Sequence, residues 1–136
     1  MKKSLVVSAM AVTFGLLAFS SFAEQGTKNF MRQKLNYSQG ILEGLTLEKF
    51  DLVVTNAALL RNLSVTNVFS MTGNQDYRAR STNFFRSVDT LITAAKGQNL
   101  ERATEAFTHV TRNCVECHKM FRREQFLRRQ TDGTFK

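Results

Sequence analysis

The sequence predicts an all-α chain folded as an antiparallel four-helix bundle, and three observations carry the prediction. No proline occurs in the 136 residues. Four stretches repeat apolar residues at alternating spacings of three and four, the period of one helical face. The breaks between them are short and hold turn-forming residues, so consecutive helices should lie side by side and antiparallel.

The opening stretch reads as a leader rather than as fold. Lys2 and Lys3 precede an uncharged, mostly apolar run from Leu5 to Ala23, and Ser21 and Ala23 supply small residues for cleavage. That is the three-part pattern of a secretory signal peptide over residues 1–23. An uncleaved membrane anchor is the alternative, since 19 uncharged residues can just span a bilayer. A single domain, residues 24–136, is expected to follow. Without the two leader lysines its net charge is +6 instead of +8.

The first helix is expected over residues 28–45, with Met31, Leu35, Ser38, Leu42 and Leu45 on its apolar stripe. Thr46 is a candidate N-cap for a second helix over residues 47–69. Its start, Asp51 to Val54, is rich in β-branched residues, but the pattern continues through Ala57, Leu60 and Leu63 and favours helix. A turn is expected at residues 72–75, then a third helix from Asp76 to Ala95 carrying Tyr77, Ser81, Phe84, Phe85, Val88, Leu91 and Ile92 inward. Gly97 should end it and Asn99 should cap the next. The fourth helix has the most regular stripe: Leu100, Ala103, Phe107, Val110, Cys114, Cys117 and Phe121.

The only two cysteines fall in that stripe, and a histidine follows the second: Cys114, Val115, Glu116, Cys117, His118. A disulfide across two intervening residues would constrain little of the unfolded chain, so these thiols are poor staples. C-x-x-C-H is the attachment signature of c-type haem. Two thiols add to the two haem vinyl groups, and the adjacent imidazole reaches the iron from one face. At about 100° per residue, Cys117 stands roughly 60° to one side of Cys114 and His118 about 40° to the other. All three therefore project from one arc. Other readings are two small core residues, a thioredoxin-like redox pair without its βαβ setting, or zinc with three of four ligands. His109, nine residues before His118, points to roughly the opposite side of the helix and reads as a surface residue. Met120 stands two residues past His118, so a sixth iron ligand must come from upstream on another helix.

These features resemble the class II c-type cytochromes, the cytochrome c′ and cytochrome c556 family. The run from Cys114 to Arg122 follows the family's C-x-x-C-H-x-x-[FY]-R ending, with Phe121 and Arg122 in the last two places. Arg32 and Gln33 match its Arg-Gln pair in the first helix. The resemblance implies a four-helix bundle with one covalent haem c per chain. It makes Cys114 and Cys117 the thioether residues and His118 the proximal ligand. It places Arg32 and Gln33 near a haem propionate, and Arg122 on the proximal side. The family's distal position, four residues after that arginine, falls on Asn36, off the apolar stripe. Methionine there accompanies low-spin iron, and a bulky apolar residue an open, high-spin one. The stripe here offers Leu35 beside that position and Met31 a turn earlier, and the register favours Leu35.

The expected function is one-electron transfer in the periplasm, without catalysis. The alternative is a five-coordinate protein that binds NO or CO. A haem-free exported bundle acting only by interaction is a third class. Residues 119–136 hold six basic and two acidic side chains, read either as a solvated helix end or as a docking patch for an acidic redox partner. Export removes nucleic acid as a partner. The resemblance adds a homodimer through the first two helices.

Overall fold

The computed structural model describes residues 26–68 and 75–132, and every element among them is helical. Helix α1 covers residues 26–46, α2 Phe50–Val68, α3 Gln75–Lys96 and α4 Leu100–Thr131. The fold is a four-helix bundle, as the apolar periods predict. The expected leader, and residues 72–74 of the expected turn, lie outside the described residues. No described helix is long and apolar enough to cross a membrane.

The chain divides into two compact units, ending at Leu35 and beginning at Asn36. In the first, the described part is the opening of α1, where the Lys34 ammonium lies 5.1 Å from the centre of the Phe30 ring.

In the second unit, Ile41, Leu45, Val53, Ala57, Leu60, Phe84, Val88, Leu91, Ala95, Ala103, Ala106 and Val110 form one apolar core. Two expectations about α1 need correction. Its stripe does not run through Leu35 and Leu42, which are 47% and 53% exposed. The inward line is Ile41, Gly44 and Leu45. The reason is how closely α1 meets α2. A Cβ on Gly44 would stand 2.7 Å from Val53 Cγ2 and 3.0 Å from Val53 N, and one on Gly40 would meet the Asn56 side chain at 2.5 Å. Lacking a Cβ, Gly44 lets the two backbones approach and Gly40 leaves room for the Asn56 side chain; that contact turns Ile41 rather than Leu42 inward.

Thr46 is not the N-cap of α2. Its hydroxyl donates to Glu43 O within α1, and Lys49 O accepts the first bond of α2, from Val53 N. Three residues, Leu47 to Lys49, reverse the chain, with Glu48 left-handed at φ 54°. Asn99 does cap α4, its side chain accepting from Arg102 N at 2.9 Å. The left-handed residue at the end of α3 is Gln98, φ 53°, and not Gly97.

The two turns are the same structure fifty residues apart, although the sequence shows no repeat. Lys49 N donates to Gly44 O and Asn99 N to Ala94 O; Glu48 N donates to Leu45 O and Gln98 N to Ala95 O. The core follows the same spacing: Ile41 with Leu91, Leu45 with Ala95, Val53 with Ala103, and Leu60 with Val110 are all buried. The position fifty residues before Cys114 is Ser64, buried, with its hydroxyl bonded back to Leu60 O.

Across α2 and α3, Arg61 Nε donates to Asp89 Oδ1 at 2.6 Å, and its guanidinium lies 5.6 Å from the Phe85 ring centre. α4 is the longest element, 32 residues, about 48 Å at 1.5 Å per residue. Its C-terminal turns carry exposed Arg122, Arg123, Arg128 and Arg129 together with Phe126 and Leu127, which are about half exposed.

Candidate functional site

The C-x-x-C-H run lies in an unbroken part of α4, so backbone hydrogen bonding alone fixes its angles. Cys114 and Cys117 are half-buried, and neither is in a disulfide. Cys114 packs against the core cluster, while His118 is exposed. Two half-buried thiols, one of them packed on the apolar core, with an exposed imidazole beside them, suit a flat group gripped at one rim and ligated at its centre. The donor set therefore fits haem c. Among the described residues no group of three or more His, Cys, Asp and Glu is gathered for a metal ion, so zinc finds no full ligand set there. His109 is exposed, as its place on the helix predicts.

α3 supplies the surroundings. Tyr77 is buried and meets Phe121 edge to face, with ring centroids 6.0 Å apart. Burial pushes the Tyr77 phenol above its ordinary range, and the charge that Cys117 can carry pushes it the same way, against a smaller opposing bond with Ser81. Glu116, between the two cysteines, accepts from Lys119 Nζ at 2.8 Å and stands 3.9 Å from Arg80 of α3. The Lys119 bond and charge hold its carboxyl below the usual range. Asn113, one residue before the motif, donates from Nδ2 to Ser87 Oγ at 2.9 Å and to Asn83 O at 3.4 Å.

The structure thus brings Cys114, Cys117, His118, Phe121 and Arg122 to one segment of one helix, with Phe121 half-buried and Arg122 exposed. Met31, Arg32, Gln33 and Leu35 belong to the unit that ends at Leu35; Met31 is half-buried and the other three are exposed. Their place opposite the motif remains an implication of the resemblance. Sequence reasoning missed Tyr77 as a neighbour of Cys117, and missed Asn113 entirely. Tyr77 at the start of a helix antiparallel to α4 was a usable signal; Asn113 gave none. A groove of about 730 Å³ lined by Phe85, Arg86, Asp89, Thr93 and Arg102 includes none of the motif residues.

Residues 66–122 match the model of the Cytochrome C′ family, a segment that contains Cys114, Cys117, His118, Phe121 and Arg122. Two solved structures share the fold, both nitric oxide complexes of mutants of cytochrome c prime from Alcaligenes xylosoxidans. Each is 16% identical with a TM-score of 0.52 and covers 71% of this chain; the share of the other chain is 91% and 92%. A comparison with curated proteins finds no match. The motif-bearing segment and the bundle are thus consistent with a class II c-type cytochrome, a haem protein. The particular likeness is that of residues 66–122 to the Cytochrome C′ family.

Proposed function

We propose that this chain is a periplasmic haem c protein that transfers single electrons. The observation that carries the reading is one arc of α4 on which half-buried Cys114 stands between half-buried Cys117 and exposed His118. Cys114 and Cys117 would hold the haem through thioether sulfurs, and His118 would ligate the iron from the proximal side. Bound haem c supplies an iron that exchanges one electron between its ferric and ferrous states. Phe121 and Tyr77 would cover the Cys117 edge and exclude water from it. Arg122, one turn past His118, would lie over the proximal face.

Arg32 and Gln33 would approach a propionate, by the resemblance alone. Reading residues 1–23 as a signal peptide supports export, with residues 24–136 as the haem domain. The exposed arginines at the end of α4 support docking of an acidic redox partner. A homodimer through α1 and α2 is the further expectation of the resemblance.

A second reading, binding of NO or CO at the iron, has its own support. Within Asn36–Asp132 the one described methionine is Met120, two residues past His118 and so unable to reach the opposite face of the iron. By the resemblance, Leu35 rather than Met31 over the distal face would leave the iron without a sixth ligand. The structural neighbours were solved as nitric oxide complexes.

The test is the mature chain expressed with a cytochrome c maturation system. Its mass should equal residues 24–136 plus one haem, and the haem should survive denaturation and acid-acetone extraction. A haem-free mass would overturn the reading.

A further inference from the structure

We propose that Asn113 is a positioning residue. Its bonds to α3 hold the motif-bearing half of α4 against roll about its own axis, and so keep His118 presented away from α3. The inference rests on the haem reading above and adds the device that aims the ligand.

Apolar packing holds this segment less firmly than the first half of α4. The buried side chains of α4 are Ala103, Ala106 and Val110, and none follows Val110. The motif begins four residues later, where the α4 side chains are at best half-buried. Over that stretch polar contacts to α3 join the packing of Cys114 on the core and of Phe121 on Tyr77. Asn113 Nδ2 reaches Ser87 Oγ at 2.9 Å and Asn83 O at 3.4 Å. Ser87 Oγ itself donates to Asn83 O at 3.1 Å, so its lone pairs face Asn113 while its proton is engaged. One turn on, Glu116 faces Arg80 at 3.9 Å; beyond it Phe121 meets Tyr77. The α3 partners descend, Ser87, Arg80, Tyr77, as the α4 partners rise, which is the order of an antiparallel pair.

The angular consequence is direct. His118 is five residues from Asn113 and two from Glu116, so it stands about 140° and 160° round the helix from them. With Asn113 and Glu116 held on α3, the imidazole must point away from α3, as its exposure shows. A roll of this end of α4 would swing His118 toward α3 and shift Cys114 on the core. Among these contacts Asn113 is the most constraining, because two acceptors one turn apart grip one half-buried amide. Arg80 and Glu116 form an exposed, longer pair that solvent weakens.

The experiment compares the haem-loaded wild type with Asn113→Leu, Ser87→Ala and the double variant. It reads the fraction of chain carrying haem, the haem-methyl proton resonances of the ferric protein, and the midpoint potential. Helicity is followed by circular dichroism. The expected result for Asn113→Leu is retained helicity with a lower haem-loaded fraction, displaced or doubled haem-methyl resonances and a shifted potential. Ser87→Ala should move the same readouts less, and the double variant should not exceed Asn113→Leu, because both act through one contact. If Asn113→Leu does not fold, Ser87→Ala decides alone: displaced resonances support the proposal and unchanged ones overturn it. Unchanged resonances and potential in a merely less stable Asn113→Leu would make Asn113 structural only. A wild-type chain without covalent haem would remove the haem reading itself, and the proposal with it.

Discussion

Tyr77 and Phe121 meet edge to face, centroids 6.0 Å apart and planes at 62°, and tie the start of α3 to α4 one turn beyond the haem motif. Such a pair contributes about 0.5–1.5 kcal/mol beyond the area it buries. Since Phe121 is only half-buried, Phe121→Ala should cost roughly 2 kcal/mol, less than a fully buried Phe→Ala. Phe121→Leu should cost less. Urea unfolding of the three chains checks the order, and equal midpoints for Phe121→Ala and wild type would remove the contact as a stabiliser.

Tyr77 should also shape alkaline stability. Its phenol is raised by burial first and by Cys117 second. A folded value above the ordinary one near 10 means the contribution is intact below about pH 10 and is lost as pH rises through the folded value. Tyr77→Phe should flatten the alkaline limb of stability against pH. In the haem-loaded chain Cys117 is a thioether and carries no charge, so only burial raises the phenol. Titration by tyrosinate absorbance should therefore give a smaller rise in the haem-loaded chain than in the haem-free one.

The two close-approach glycines should respond differently. At Gly44 the obstacles are Val53 Cγ2, Val53 N and Lys49 O, two of them backbone atoms, so Gly44→Ala must part α1 from α2. It should cost on the order of 1–3 kcal/mol despite the better helix propensity of alanine. At Gly40 the obstacle is the Asn56 amide, which can rotate at the cost of its bond to Leu52 O. Gly40→Ala should be milder, and in an Asn56→Ala background neutral or stabilising. Thermal unfolding of wild type, the three single variants and the Gly40→Ala/Asn56→Ala double variant tests this.

If the arginines at the end of α4 steer a partner, reduction by an acidic donor protein should slow steeply as salt rises. Reversing Arg128 and Arg129 to Glu should lower the association rate while leaving the unfolding midpoint close to wild type, because both side chains are exposed. Salt-independent stopped-flow rates would leave these residues as a solvated helix end.

The distal face separates the two functional readings. A Leu35 cap should give high-spin ferrous haem that takes up CO, faster after Leu35→Ala, with Met31→Ala leaving the spectrum unchanged. A low-spin spectrum that turns high-spin on Met31→Ala would assign the sixth ligand to Met31 and favour plain electron transfer.

What could be read in advance divides along physical lines. The haem motif was legible because its chemistry demands fixed residues at fixed spacing. Asn99 was legible because a capping amide acts on its own helix, two or three residues away. Ile41 against Leu42 was not, since adjacent apolar residues offer two stripes and only the spacing of Gly40 and Gly44 distinguishes them. The turn at Leu47 to Lys49 was not, because Glu48 takes a left-handed conformation that its side chain does not advertise. Asn113 was not, because one amide makes no period.

The matched turns bear on the speed and order of folding. Each joins two helices through three residues, so contacts within α1–α2 and within α3–α4 close short loops and cost little chain entropy. Chains rich in such local contacts fold fast. The α3–α4 hairpin contains Cys114, Cys117, His118 and their α3 neighbours, so the attachment segment is expected to take shape early and within its own hairpin. Haem would then meet a preformed rim instead of having to organise one.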